Sequence, residues 1–436
     1  MSRLALCAAL SAALAACVET ADDESLGAVT GAVESAGPAS LLDISREHVA
    51  GDVWHHSLLL RVGDTPNAVI RIHRIVRERA PWLPRPTSAG AMFLHGDFSS
   101  FPSNFAPVLA DPASTTTGMA VDLAQRGIDV WGFDRRWAVA TTDADLSDFG
   151  GMGMVQELDD VGRALAVARA VRLATGSGGD RLHLVGFSRG GFLAYAYAAR
   201  DAALPAALRS VKGLVPLDVW AELPPEDVDA RAFVCGSAAW EYQQIADGVT
   251  DQENSVFIAI GELAVSDPDG PSPFFTDPQL TNRDAFLALA GQTYFFFPAT
   301  PYYHLAAPFL DGGVVTGLRD SPEAVIASWF AHASPHQSMR EVADTDAVWC
   351  GDGSGPIDVD LSRIRVPLFY LGAAGGYGDH GLYSTTRVSS TDVTTNVIRR
   401  FGPEGAFEDF GHGDILFASD APDLAWRPLA QWLASH

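Results

Sequence analysis

The sequence predicts an α/β chain: a mostly parallel sheet flanked by helices, with a cap inserted late in the chain. Three observations carry that expectation. From about residue 90 to residue 219, short apolar runs alternate with segments of helical spacing, the pattern of strands joined by crossover helices. One junction, residues 182–197, reads LHLVGFSRGGFLAYAY, an apolar run passing through Gly186-Phe187-Ser188-Arg189-Gly190 into a helical pattern. The alternation then breaks between about residues 220 and 355, where prolines and aromatics multiply, and returns at residues 366–372.

The elements follow in order. Residues 57–62 and 68–76 alternate partially and read as an opening edge hairpin, closed off by Pro81, Pro84 and Pro86. Residues 91–94 form a short strand running into His95-Gly96-Asp97-Phe98. A helix over 120–126 ends at Gly127, before a strand over 128–133. Residues 156–175 make a long amphipathic helix, stopped by the Gly-Ser cluster at 176–179. After the strand and helix around Ser188, residues 210–219 supply the next strand. Within the insertion, aromatics such as Trp240, Tyr242, Tyr294 to Phe297, Tyr303 and Trp329 pack the cap and partly line a pocket. The sheet resumes at 366–372, leading to a glycine-rich loop that carries Asp379. Residues 406–410 read as the last strand, before Gly411-His412-Gly413-Asp414, and 422–433 as a closing helix. The expected division is a signal at 1–16, an acidic tether at 17–40, core at 41–219 and 356–436, and the cap at 220–355.

At 436 residues, with 47% hydrophobic and 19% charged residues, the chain has material for a large core and is not a disordered polymer. A net charge of −25 sets it against nucleic acid and anionic membrane surfaces as partners. The start, MSRLALCAALSAALAAC, places Arg3 before an apolar run and then small residues, as an export signal does. That run is too short to span a bilayer. Leu14-Ala15-Ala16-Cys17 resembles the bacterial lipobox, which implies lipidation of Cys17 and a protein held in the outer membrane or periplasm by that anchor alone. The alternative is an ordinary signal cut near Ala16. Setting aside Cys7 and Cys17, the four cysteines leave Cys235 and Cys350. In an oxidising compartment these form one disulfide clamping the base of the cap, or remain two buried thiols. No histidine or cysteine spacing reads as a metal site, and no glycine loop suits a phosphate, so neither a metal nor a cofactor is expected. The sequence carries no signal of oligomeric state.

A serine on a tight strand-to-helix turn, flanked by glycines two before and two after, is placed as a nucleophile. A hydroxyl is a poor nucleophile at neutral pH and needs an imidazole to take its proton, and the imidazole needs a carboxylate to fix its tautomer. The chain order Ser188, Asp379, His412 supplies all three, with Asp218 at the end of the preceding sheet strand as the alternative acid. The main-chain N–H groups of Arg189 and Asp97 are the expected oxyanion donors, with Phe98 as a fallback for Asp97. The Asp97 carboxylate is expected to point away from the developing charge. Asp414 is expected to cap or orient the histidine loop.

His95-Gly96, residues 127–132 (GIDVWG), Gly186 to Gly190 and residues 412–417 (HGDILF) together resemble the α/β-hydrolases, and within them the acid lipase branch of gastric and lysosomal lipases. The similarity covers most of the core from about residue 90, apart from the cap. Arg189 departs from the small or apolar residue usual at its position. The resemblance implies hydrolysis of small-molecule or lipid carboxylic esters, without metal or cofactor, through an acyl-enzyme on the serine. An amidase, peptidase or polyester hydrolase on the same framework is the alternative enzyme reading, and a non-catalytic carrier of apolar ligands the alternative of another class. An epoxide hydrolase or haloalkane dehalogenase is disfavoured, since those need an aspartate where Ser188 stands.

Overall fold

The structure is a computed structural model that describes residues 39–293 and 298–436. The signal at 1–16, Cys17, most of the tether and the aromatics Tyr294 to Phe297 lie outside the described residues.

Among the described residues, nine strands form the main path of the central sheet: β1 (Ser40–Ala50), β2 (Val53–Arg61), β3 (Val69–Ala80), β4 (Gly90–Leu94), β5 (Asp129–Asp134), β6 (Leu182–Phe187), β7 (Val211–Leu217), β8 (Leu368–Ala373) and β9 (Val393–Ile398). Their order is β1-β2-β3-β5-β4-β6-β7-β8-β9, with a two-residue strand, Leu83–Pro84, attached to β3. The first three strands and the β3–β5 pair are antiparallel; every pair from β5 to β9 is parallel. Every residue of β4, β5, β6 and β8 is buried, as a parallel sheet covered on both faces requires.

Helices cover the two faces. On one, α1 (Met119–Gln125) and the C-terminal α10 (Arg427–Ser435) pack Leu123, Leu429 and Trp432 against Phe93, Val185 and Val215. On the other, α2 (Met154–Thr175) and α3 (Arg189–Ala203) pack Leu158, Val161, Phe192 and Tyr195 against Met92, Leu184 and Leu214. The apolar stripe of α2 is what the sequence displays, and Gly176 ends that helix in the left-handed conformation, at φ 90°.

Between β7 and β8 the chain leaves the sheet. It builds α4 (Val228–Ala246), α5 (Ser255–Ser266), α6 (Asn282–Gly291), α7 (Glu323–Ala331) and α8 (Met339–Cys350), with two small two-stranded sheets. Cys235 of α4 and Cys350 of α8 are joined by a disulfide.

Two boundaries differ from the sequence reading. The opening hairpin of β2 and β3 is not at the edge: β1 pairs outside it, a strand whose partly exposed, charged residues hide it from apolar patterning. Residues 406–410 are not the last strand. Pro403–Glu408 is a short 3₁₀ helix, and the last strand is β9, whose first residues Val393, Thr394 and Thr395 are exposed because it lies at the sheet edge.

Candidate active site

Ser188 follows β6 directly and begins the turn into α3 at φ 55° and ψ −134°, a conformation costly for a residue with a Cβ. The glycines around it are forced by close approach. A Cβ on Gly186 would lie 2.1 Å from the Gly190 carbonyl oxygen, and one on Gly190 would lie 2.3 Å from the His95 carbonyl oxygen. The serine thus rides a turn compressed against the end of β4.

Asp218 occupies the equivalent place on the neighbouring strand. Phe187 and Leu217 are paired across β6 and β7, so the residues that follow, Ser188 and Asp218, leave the same edge of the sheet side by side. The Ser188 N–H donates to the Leu217 carbonyl at 3.0 Å. Asp218 is fully buried, also at positive φ (47°). Its carboxylate accepts from the N–H of Ala373 at 2.8 Å and of Tyr377 at 3.0 Å, and from Nδ1 of His412 at 2.6 Å.

His412 is fixed from all sides. Its ring stacks on Phe187 at 4.4 Å and meets Tyr303 and Tyr377 at 5.3 Å each. Its N–H donates to the His304 carbonyl, and that of Gly413 to Leu305. Asp414 ties down the same loop, accepting from the N–H groups of Gly411 and Ala307 and from the Ser321 hydroxyl. Burial pushes the Asp414 carboxyl up to about 7. Nδ1 is held by Asp218, and Nε2 has no hydrogen-bond partner among the described residues, the Ser188 hydroxyl included.

Asp379, favoured from the sequence as the acid, is not the partner of His412. It lies in the first turn of α9 (Gly378–Thr386) rather than in a loop, and its exposed carboxylate pairs with Arg399 at 2.6 Å. The glycine-rich segment before α9 instead gives the N–H of Tyr377 to Asp218. The fallback acid is the one the structure brings to the imidazole.

The N–H groups of Asp97 and Arg189 find no acceptor among the described residues, whereas that of Phe98 donates to Gln337 Oε1 at 3.1 Å. Two free donors therefore flank the serine, and the fallback donor is already engaged. The Asp97 side chain does not simply turn away. Its Oδ1 accepts from Arg189 Nε at 2.8 Å and from Gln337 Nε2 at 2.7 Å. Burial would raise this carboxyl, but the Arg189 guanidinium and the two hydrogen bonds hold it below its ordinary value. The unusual arginine after the serine thus has a local purpose: it neutralises the unusual aspartate beside the two free N–H groups. Arg189 also lies 3.5 Å from Asp346 and 5.3 Å from the Trp349 ring centroid.

Gln337 was not legible from the sequence. It is fully buried in a short cap strand (His336–Ser338) and grips both ends of the Asp97–Phe98 turn. A lone glutamine carries no pattern to mark it.

Two cavities, of about 620 and 760 Å³ including their open mouths, share Asp97, Ser188 and Tyr377 in their walls. Among the described residues no cluster of three or more histidine, cysteine, aspartate or glutamate side chains could hold a metal ion.

A candidate lipase from Sulfolobus solfataricus superposes on this chain with a TM-score of 0.61 at 16% identity, covering 90% of this chain and 99% of that one. The fold is that of the α/β-hydrolases. A soluble variant of monoglyceride lipase from Saccharomyces cerevisiae aligns at TM-score 0.44 and 11% identity, over 91% of this chain and 96% of that one. An alpha/beta hydrolase fold protein from Nakamurella multipartita aligns at 0.40 and 13%, over 85% and 97%. No protein-family model and no curated protein matches the sequence. In the α/β-hydrolase fold the C-terminal edge of the parallel strands is where β6, β7 and β8 deliver Ser188, Asp218 and the Tyr377 loop.

Proposed function

We propose that this α/β-hydrolase is a serine hydrolase of carboxylic esters, with Ser188 as nucleophile, His412 as base and Asp218 as acid. The observation that carries the reading is the buried His412–Asp218 pair opening onto the same cavity as a serine held at positive φ on a strand-to-helix turn. His412 Nε2 takes the Ser188 proton as Oγ bonds to the ester carbonyl carbon. Asp218 keeps the proton of the imidazole on Nδ1 and stabilises its cationic form. The main-chain N–H groups of Asp97 and Arg189 receive the oxyanion, a contribution of about 3 to 4 kcal/mol per donor in comparable sites. His412 then protonates the departing alkoxide, leaving an acyl-enzyme. Water, deprotonated by the same nitrogen, attacks that ester and frees the acid. The chain is exported and carried on a lipid at Cys17, a reading supported by the arginine, apolar run and Leu-Ala-Ala-Cys of its first residues.

A fluorophosphonate probe tests the assignment. The intact chain is expected to label at Ser188 and to hydrolyse p-nitrophenyl esters. Ser188→Ala is expected to keep its fold by circular dichroism and lose both. Labelling that persists in that variant would overturn the choice of nucleophile.

A further inference from the structure

We propose that the two cavities divide the ester between them. On this assignment the chamber bordered by His412 receives the alcohol part, and the chamber bordered by Trp220, Ala230, Val234 and Trp349 receives the acyl part. The inference rests on the roles given above to Ser188 and His412.

The tetrahedral carbon carries four groups: Ser188 Oγ, the oxyanion, the leaving oxygen and the acyl carbon. The oxyanion is committed to the N–H side at Asp97 and Arg189. The leaving oxygen takes its proton from His412, so the alcohol must depart through space that this imidazole borders. His412 borders one cavity and not the other. The remaining direction, toward the second cavity, is left for the acyl carbon.

The walls then state what each part looks like. The His412 chamber is walled by Phe98, Phe187, Phe257, Leu305, Trp329 and Phe330, and is the larger of the two. It suits a bulky apolar alcohol. The other chamber is the smaller and has aromatic walls, but it is also bordered by the ionic group of Asp97, Arg189 and Asp346, of which Asp97 borders both chambers. A long alkyl chain there would press on Arg189 and Asp346, which border this chamber and not the other, and strip them of water without replacing its hydrogen bonds. The preferred substrates are therefore short-acyl esters of large apolar alcohols, rather than long-chain acyl esters of small ones.

The test varies the two halves of the substrate separately, on the full chain. Acetates of a graded series of alcohols, from methanol to long-chain and aromatic alcohols, are compared with p-nitrophenyl esters of graded acyl length. The expected pattern is a kcat/KM rising by about tenfold or more with alcohol bulk and falling with acyl length. Ala333→Phe narrows the His412 chamber, and is expected to lower kcat/KM for bulky-alcohol acetates about tenfold relative to methyl acetate. It should act on acylation alone, because the alcohol has left before the acyl-enzyme hydrolyses. Ala230→Phe narrows the other chamber, and is expected to sharpen the acyl-length cut-off and slow decay of the longer acyl-enzymes. Should Ala333→Phe not fold, Phe257→Ala enlarges the same chamber and is expected to favour bulkier alcohols. A reversed pattern, with residues near His412 controlling acyl length and acyl-enzyme decay, overturns the assignment while leaving the serine mechanism standing. No hydrolysis of any ester, together with no fluorophosphonate label, overturns the underlying mechanism instead.

Discussion

Four non-glycine residues among those described have positive φ: Trp82, Phe98, Ser188 and Asp218. Three of them belong to the candidate site. Each such conformation costs on the order of 1 to 3 kcal/mol and persists only where the surroundings over-determine it. Here Gln337 pins Phe98, the glycine-flanked turn pins Ser188, and the N–H groups of Ala373 and Tyr377 pin Asp218. The choice of acid is the sharpest statement at this scale. Asp218→Asn is expected to lower kcat by roughly 10⁴-fold, because an amide at that place favours the wrong imidazole tautomer. Asp379→Asn, which loses one exposed ion pair with Arg399, is expected to stay within about twofold of wild type. Steady-state kinetics on one ester decides between them.

A second residue speaks through pH. Glu241 on α4 is buried and its Oε2 lacks a partner. Burial, with the like charge of Asp346, pushes its carboxyl from an ordinary 4.5 up to about 8. Between those values the folded protein holds a proton that the unfolded chain has released, so stability falls as pH rises through the window. Glu241→Gln removes the titration. Its unfolding free energy is expected to exceed that of wild type by about 1 to 3 kcal/mol at pH 8. The two are expected to converge below pH 4.5, as read from urea unfolding across that range.

At the scale of elements, the cap is tied to itself and to the site through α4 and α8. Their disulfide, Cys235–Cys350, closes a loop spanning 115 residues of sequence. The same two helices carry Ala230, Val234, Asp346 and Trp349 into one chamber wall. Replacing both cysteines by serine is expected to cost about 2 to 4 kcal/mol of stability. Wild type unfolded in reductant should match the double variant without it. The chamber should loosen with the helices, so KM for ester is expected to rise more than kcat falls.

The sheet is a different kind of element-level device. Its parallel order makes β6, β7 and β8 end at one edge, and register alone then sets Ser188 beside Asp218. Apart from the first turn of α3, which carries Arg189, the helices on either face lie away from the candidate site. They bury the apolar faces that keep the strand ends rigid, and a rigid platform is what allows three side chains and two N–H groups to hold one geometry.

At the scale of the whole molecule, most of the frame was legible because its signals are local. Apolar runs marked β4, β5, β6, β7 and β8, helical spacing marked α2 and α3, and Gly186-Phe187-Ser188-Arg189-Gly190 marked the turn between β6 and α3. The elements that escaped are those whose residues answer to water: β1 and β9 lie at sheet edges, and their exposed polar positions dilute the pattern. The choice of acid escaped for another reason. Asp218 and Asp379 both follow sheet strands in acceptable chain order, and only contact with an imidazole 194 residues away separates them.

The sequence by itself determined the alternation of strands and helices between about residues 90 and 219, the turn at Ser188 and the loop at His412. Those depend on neighbours within a few residues, whose periodicity and backbone freedom are written in the chain. Tertiary structure alone decided which carboxylate holds His412, how Arg189 quiets Asp97, how Gln337 grips a turn 239 residues before it, and how the walls part into two chambers. These are contacts between distant segments, set by distance and angle once the sheet has brought its edge together, and no local pattern encodes them.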